Sequence, residues 1–460
     1  MIRLSTCFIA VLLALRSSAL PALQGRDVDA GRQSKLASGT ATSTFASTGS
    51  GSSTSTESVI PPSESGPVIS LNPNNPVWDS SFTGPFDSIR GPLGATIIGP
   101  NNPNIAQQNP DLLAPPTTDH GSVPNIKWPM SLSHNRLATG GWAREQNTDV
   151  MPIATEMAGV NMRLKPGAIR ELHWHKTAEW AYVLKGTTQV TSVDQDGRNF
   201  ISTVCTAPVT SGTSLLVSPH SLQATGDDPD GSEFLLVFPN GMFSEDSTFL
   251  LTDWLAHIPA EVLAKNFGLP AEAFKNAPEN ELYIFPAGTH SRHSSGPFRL
   301  CLSNVSATQF SGGTAKIVDS STFKISVTIA AAEVTVEPGA MRELHWHPTE
   351  DEWTFFLEGE GRITLFASQS NARTFDFQAG DVGYIPASNG HYVENTGNTT
   401  LRFLEIFNSD KFQDVSLSQW LALTPPAVVK AHLGVSDDTI AHFSKTKPVV
   451  VGGSRNVTKV

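Results

Sequence analysis

From about residue 140 onward the chain consists of short runs in which apolar and polar residues exchange sides, among them VNMRL (160–164), WAYVL (180–184), VTVEP (334–338) and WTFFLEG (353–359). A two-residue period sends successive side chains to opposite faces, which predicts β-strands. Turn-forming stretches such as VDQDGRN (193–199) separate the runs. Two segments break the period, LTDWLAHIPAEVLAKNFG (251–268) and LSQWLALTPPAVVKAHLG (417–434), and each predicts a short helix that closes a set of strands. The pattern is written twice, in blocks from about Trp142 to Leu269 and from about Phe310 to Val435. An all-β protein is expected, made of two tandem barrels or double-sheet jelly rolls, each with short C-terminal helices.

The rest of the 460 residues fills in around these blocks. Residues 1–22 begin with Arg3, an apolar run from Phe8 to Leu15 and small residues after it, which predicts a secretory signal peptide. Residues 23–75 are rich in Ser and Thr, with too little apolar surface to offset the entropy of ordering, and predict a disordered tether. The Pro- and Asn-rich stretch that follows reads as an extended arm on the first domain, giving domains at 76–270 and 271–460. No later segment reaches eighteen uninterrupted apolar residues and the C-terminus lacks an anchor tail, so a secreted protein without a membrane partner is expected. The sequons at Asn304, Asn398 and Asn456 fit export. Cys205 and Cys301 either pair in that oxidising environment or stay as buried thiols.

A net charge of −12 with no basic cluster argues against nucleic acid as a partner. An anionic substrate would then need a local cation at its site.

The chemistry is concentrated in a hexapeptide, RELHWH, which occurs at 170–175 and again at 342–347. On a strand His173 and His175 share a face, with Trp174 turned away to pack between barrels or subunits, and Glu179 can return to the same pocket across a tight turn. His345, His347 and Glu352 repeat the set around Trp346. Fourth ligands are expected at His220 and His391, which follow the first histidine of each set by 47 and 46 residues. Three imidazoles and a carboxylate suit an octahedral manganese or ferrous ion better than tetrahedral zinc.

This spacing resembles the cupin family: G-x5-H-x-H-x3/4-E-x6-G is met from Gly167 to Gly186 and from Gly339 to Gly359, and the second motif is present as Gly380, Pro386, His391 and Asn395. Two such motifs with RELHWH in each are similar to the bicupin oxalate decarboxylases. The stretch TAPVTSGTSLLVSPHSLQ departs from the family's lead-in to the fourth histidine, keeping only Pro219 to Gln223. The resemblance implies two manganese ions per chain, oxalate as substrate, dioxygen as co-catalyst, formate and carbon dioxide as products, and a homohexamer.

Nine residues before Trp254 lies Glu245, in the polar run SEDST; nine before Trp420 lies Lys411. By its residues alone SEDST reads either as a helix N-cap through Asp246 or Ser247 or as a mobile loop. The resemblance makes it the lid that carries the acid/base, Glu245. Alternation puts Arg170 on the face opposite His173, and only a bulge or twist would bring it over the metal, where the family uses the matching arginine. Arg342 is its counterpart. Glu405, on an apolar strand, needs a partner such as Arg342 and is expected to be structural, with a catalytic part at the second site as the alternative. An oxalate oxidase releasing peroxide, a flavonol-cleaving dioxygenase and a non-catalytic metal-binding bicupin are the competing readings.

Overall fold

The computed structural model describes residues 118–205, 211–215, 218–288 and 298–453, with 105, 108–113, 115 and 116 ahead of them. The expected signal peptide, the tether and Asn456 lie outside these residues. The chain runs through β1 (Lys127–Pro129), β2 (Asn135–Ala138), β3 (Gly141–Gln146), β4 (Ala158–Leu164), β5 (Ile169–Trp174), β6 (Glu179–Lys185) and β7 (Thr187–Val193). Next come β8 (Asn199–Cys205), β9 (Ser211–Leu215), β10 (His220–Ala224), β11 (Ser232–Phe238), β12 (Phe249–Leu250) and β13 (Ile284–Phe285). The second block holds β14 (Leu300–Cys301), β15 (Thr308–Phe310), β16 (Gly313–Val318), β17 (Ala330–Val336), β18 (Met341–Trp346), β19 (Glu352–Glu358) and β20 (Glu360–Phe366). It ends with β21 (Ala372–Gln378), β22 (Asp381–Ile385), β23 (His391–Asn395), β24 (Leu401–Phe407), β25 (Val415–Ser416) and β26 (Val450–Val451).

These strands form two barrels of the same topology. One sheet of the first barrel runs β14-β9-β6-β11-β4-β3-β2 and the other β12-β5-β10-β7-β8, with β13 also on β5. The second barrel repeats this as β1-β22-β19-β24-β17-β16-β15 and β21-β20-β23-β18-β25, with β26 on β18. The all-β tandem arrangement expected from the alternation is therefore present, and the departing stretch before His220 still supplies a strand, β9, paired with β6 from Glu179 opposite Leu215.

Among the described residues three apolar cores form. Val160, Met162, Phe234 and Leu236 fill the first barrel, and Phe356, Ile363, Phe377 and Phe403 the second. A third core lies between the barrels and contains Trp180, Tyr182, Leu235, Val237, Trp353, Phe355 and Ile406. WAYVL and WTFFL are buried on both faces for this reason, one face turned to a barrel interior and the other to the partner barrel. The barrels approach so closely that a Cβ on Gly159 would sit 2.2 Å from the Trp353 ring, whose Nε1 donates to Gln146 Oε1 at 2.6 Å.

Several expectations are corrected. The N-terminal arm covers the second barrel: β1 pairs with the edge strand β22, and Arg362 Nε donates to Asp111 Oδ2 at 3.0 Å. Reciprocally, β14 pairs with β9 of the first barrel. The boundary after residue 270 also shifts, because β13 belongs to β5 of the first barrel. The open sheet edges decide these docking sites, and sequence proximity does not. Each single closing helix is two, Leu251–Ala256 with Ala260–Phe267 and Leu417–Leu423 with Pro426–Leu433, because Pro259 and Pro425 start a new turn. Trp174 packs on Phe249 and Trp254, and Trp346 on Trp420, both away from the core between the barrels. Cys301 has a free thiol, so it is not paired with Cys205: β8 and β14 belong to different sheets, Cys205 opposite Thr187 and Cys301 opposite Ser211. Asn304 and Asn398 are exposed. No helix among the described residues is long and apolar enough to cross a membrane.

Candidate metal centres and active site

Each barrel gathers its four expected ligands. His173, His175, Glu179 and His220 are all buried, with their ligand atoms within 4.8 Å of one another, and His345, His347, Glu352 and His391 repeat this. β5 supplies His173 and, one residue past its end, His175; the start of β6 supplies the glutamate and the start of β10 the third histidine, with His220 opposite His173 in the ladder. Strand alternation delivers the first pair, and pairing in the sheet delivers the last.

The donors are set to hold a cation. In all six imidazoles Nδ1 bonds a backbone carbonyl: His173 to Glu171 at 2.7 Å, His175 to Thr177 at 2.7 Å, His220 to Ser218 at 2.8 Å, His345 to Glu343 at 2.6 Å, His347 to Gln413 at 2.7 Å and His391 to Asn389 at 3.0 Å. A carbonyl accepts only, so Nδ1 holds the hydrogen and the Nε2 lone pair faces the centre. Burial, then His220 and Arg170, press the His173 imidazole well below its usual range, as burial, Arg342 and His391 do for His345. Burial alone would raise the Glu179 carboxyl, yet His220 and His175 hold it well below the ordinary carboxylate range, and His347 and His391 do the same for Glu352. Three imidazoles with their Nε2 atoms turned inward, around an ionised carboxylate in a buried pocket, fit a divalent ion of the manganese or ferrous type.

Above the first centre lies Arg170. The ladder between β5 and β10 shifts register between Arg170 and His173, and this bulge turns Arg170 inward against simple alternation. The shift recurs between Arg342 and His345. Arg170 is 1% exposed, and its Nη2 donates to Glu245 Oε2 at 2.9 Å. Its Nε and Nη1 have no hydrogen-bond acceptor, so two buried donor nitrogens remain to meet an anion.

Glu245 is itself buried, at the start of a 3-10 turn over Glu245–Ser247, and Ser244 caps the turn by accepting from Asp246 N. The alternative of a helix capped by Asp246 or Ser247 is not found, since the following helix starts at Leu251 and its N-cap residue is Leu250, with no side-chain cap. Two residues not anticipated from the sequence hold Glu245 in place. Tyr283 OH donates to Glu245 Oε2 at 2.9 Å, and Glu145 accepts from Glu245 N at 2.9 Å and from Ser244 Oγ at 3.1 Å. Burial, then Glu245, pushes the Tyr283 phenol up, so it stays a donor. Tyr283 has φ 57°, a strained value for a non-glycine residue, and is held there by its N–H donating to the buried Glu171 at 2.5 Å. Neither residue has a periodicity or motif to announce it.

The second centre differs in what surrounds it. Ladder positions put Val449 in the place of Tyr283, as Ile284 faces Arg170 and Val450 faces Arg342. Glu405 stands where the first barrel has Leu236. Arg342 donates to Glu405 Oε1 at 3.1 Å and to Asp414 Oδ2 at 2.6 Å, and Lys447 also meets Asp414. Burial pushes the Glu405 carboxyl up, with Arg342 opposing. The cation of this site is thus engaged by Glu405 from strand β24 and by Asp414 from the segment before β25, and Lys411 stands at the ladder place of Glu245.

The comparisons agree with this geometry. The family model described as Cupin matches residues 133–275 and 303–441. The chain is 52% identical over 374 residues to oxalate decarboxylase OxdC of Bacillus subtilis (strain 168), covering 79% of the chain and 96% of that protein. It is 38% identical over 397 residues to an oxalate decarboxylase of Arthroderma benhamiae, covering 78% and 92%. A solved structure of the Bacillus subtilis oxalate decarboxylase, studied for its Mn(II) centres, has a TM-score of 0.75 at 50% identity, covering 79% of this chain and 98% of that one.

Proposed function

The chain belongs to the bicupin oxalate decarboxylases of the cupin family, and from that premise we propose a division of labour in which the first barrel carries the chemistry. It is a manganese-dependent enzyme that converts oxalate to formate and carbon dioxide. Manganese at the two four-residue clusters supplies Lewis acidity and a one-electron reservoir, with dioxygen as co-catalyst.

The observation that supports the first barrel is Arg170 with two acceptor-free donor nitrogens beside the Glu245 carboxylate, above the first cluster. Those nitrogens bind and orient one oxalate carboxylate. Glu245, held by Tyr283, takes the proton of the acid and, after carbon dioxide leaves, returns it to carbon to complete formate. The closed turn at 244–248 keeps water from the site during that exchange. The second barrel has Lys411 at the place of Glu245, and its arginine is held by two carboxylates, which suits a structural metal site.

The test is to give the manganese-loaded protein oxalate and measure formate, peroxide and metal content. Glu245→Gln should abolish formate while both ions stay bound, and retained formate would remove Glu245 from the mechanism. The apolar leader and the exposed sequons at Asn304 and Asn398 support a secreted glycoprotein, and family resemblance supports a homohexamer.

A further inference from the structure

We propose that Arg136 is a positioning residue for this decarboxylation, which clamps the closed lid through Asp246 and through Tyr283. The proposal rests on the reading of Glu245 as the lid acid. Arg136, on β2, donates from Nη1 to Asp246 Oδ1 at 3.0 Å and from Nη2 to Glu281. Its guanidinium lies 3.7 Å from the centre of the Tyr283 ring, and that of Arg170 lies 4.2 Å from the same ring. One arginine therefore grips the outer residue of the lid and, at the same time, the ring whose hydroxyl holds Glu245. The hinge end is tied separately by Glu145. A cavity of about 350 Å³, lined by His134, Arg136, Glu145, Glu245, Asp246 and Tyr283 among others, gives the lid room to move once the clamp lets go.

The duplication supplies an independent observation. Gln309 faces Thr314 and Leu137 faces Trp142 in matching hairpins, which puts Thr308 in the second barrel where Arg136 stands in the first. Counting back from the matching strands β12 and β25 puts Phe412 at the place of Asp246 and Lys411 at that of Glu245. Both halves of the clamp are missing together from the barrel that has no lid acid.

Asp246 is 83% exposed, so its bond to Arg136 is a weak, screened one. Such a pair shifts an opening equilibrium by on the order of threefold, which suits a lid that must open in every turnover. The experiment is amide exchange of residues 244–248 in the manganese-loaded enzyme at low and high salt, with kcat and KM for formate measured beside it. In the native chain salt should speed lid exchange by about threefold; Asp246→Asn should show the faster rate at either salt level, with kcat for formate lowered by a similar factor, metal content and Tm unchanged, and Asp246→Glu restoring the native pattern. Arg136→Gln, which also strips the Tyr283 ring of its stacked cation, should loosen the lid further. Lid exchange in Asp246→Asn that matches the native chain in rate and salt response would overturn the clamp. Because exchange is read without turnover, absence of formate from the native enzyme would overturn the decarboxylase reading and leave the clamp to be judged on its own.

Discussion

At the residue scale, the two His/Glu clusters could be read from the sequence and the residues that hold Glu245 could not. His173 and His175 follow from strand alternation, and His220 and His391 follow from near-equal spacing in two copies. Arg170 required a bulge, which alternation does not encode, and Tyr283 reaches the site from the position just before a two-residue strand, with an unusual backbone angle. The cost of that angle, about 1–3 kcal/mol, is borne where the phenol contacts Glu245. Tyr283→Phe keeps the ring between Arg136 and Arg170 and removes only the donor. A hydrogen bond to a charged group contributes about 1.5–3 kcal/mol, so kcat for formate should fall about 10- to 100-fold with Tm and metal content unchanged. Steady-state kinetics with metal analysis checks this.

At the element scale, the strands and their duplication were legible because the two-residue period survives in every half-buried run. The arm was not, because its partner is an edge more than 200 residues away in the chain, and no local pattern points there. Its anchor has a pH response. Burial first, then Asp376, pushes the Asp111 carboxyl up to about 10, against the pull of Arg362. Glu394 and Tyr392 also face Arg362, and the Asp111 amide donates to Asp376 at 2.9 Å. The docked arm therefore keeps a proton that the free chain releases above about pH 4. Its stability is fully present below that point and is lost as pH rises toward 10. The protection factor of the Asp111 amide should fall between pH 5 and pH 8, and Asp111→Asn should flatten that fall. A native profile independent of pH would show that the pair does not take up a proton on docking.

At the scale of the whole molecule, the core between the barrels makes two units into one. WAYVL and WTFFL look in sequence like ordinary core strands, and only the second covered face shows why they carry so little polar residue. Trp353 is fully buried against Gly159 and Gln146 of the other barrel. Trp353→Ala should cost about 3–5 kcal/mol and replace one calorimetric transition by two, as the barrels lose their shared core. A single transition at an unchanged temperature would show that the barrels do not depend on this contact. The crossed straps β1 and β14 carry a further implication. A lone barrel would have a bare rim of backbone N–H and C=O groups, and the nearest match for that rim is the leader of a sister molecule. Two such molecules would trade leaders and close on each other. The doubled chain is that exchanged pair written as one polypeptide, so neither half can drift away from the other or find a foreign mate.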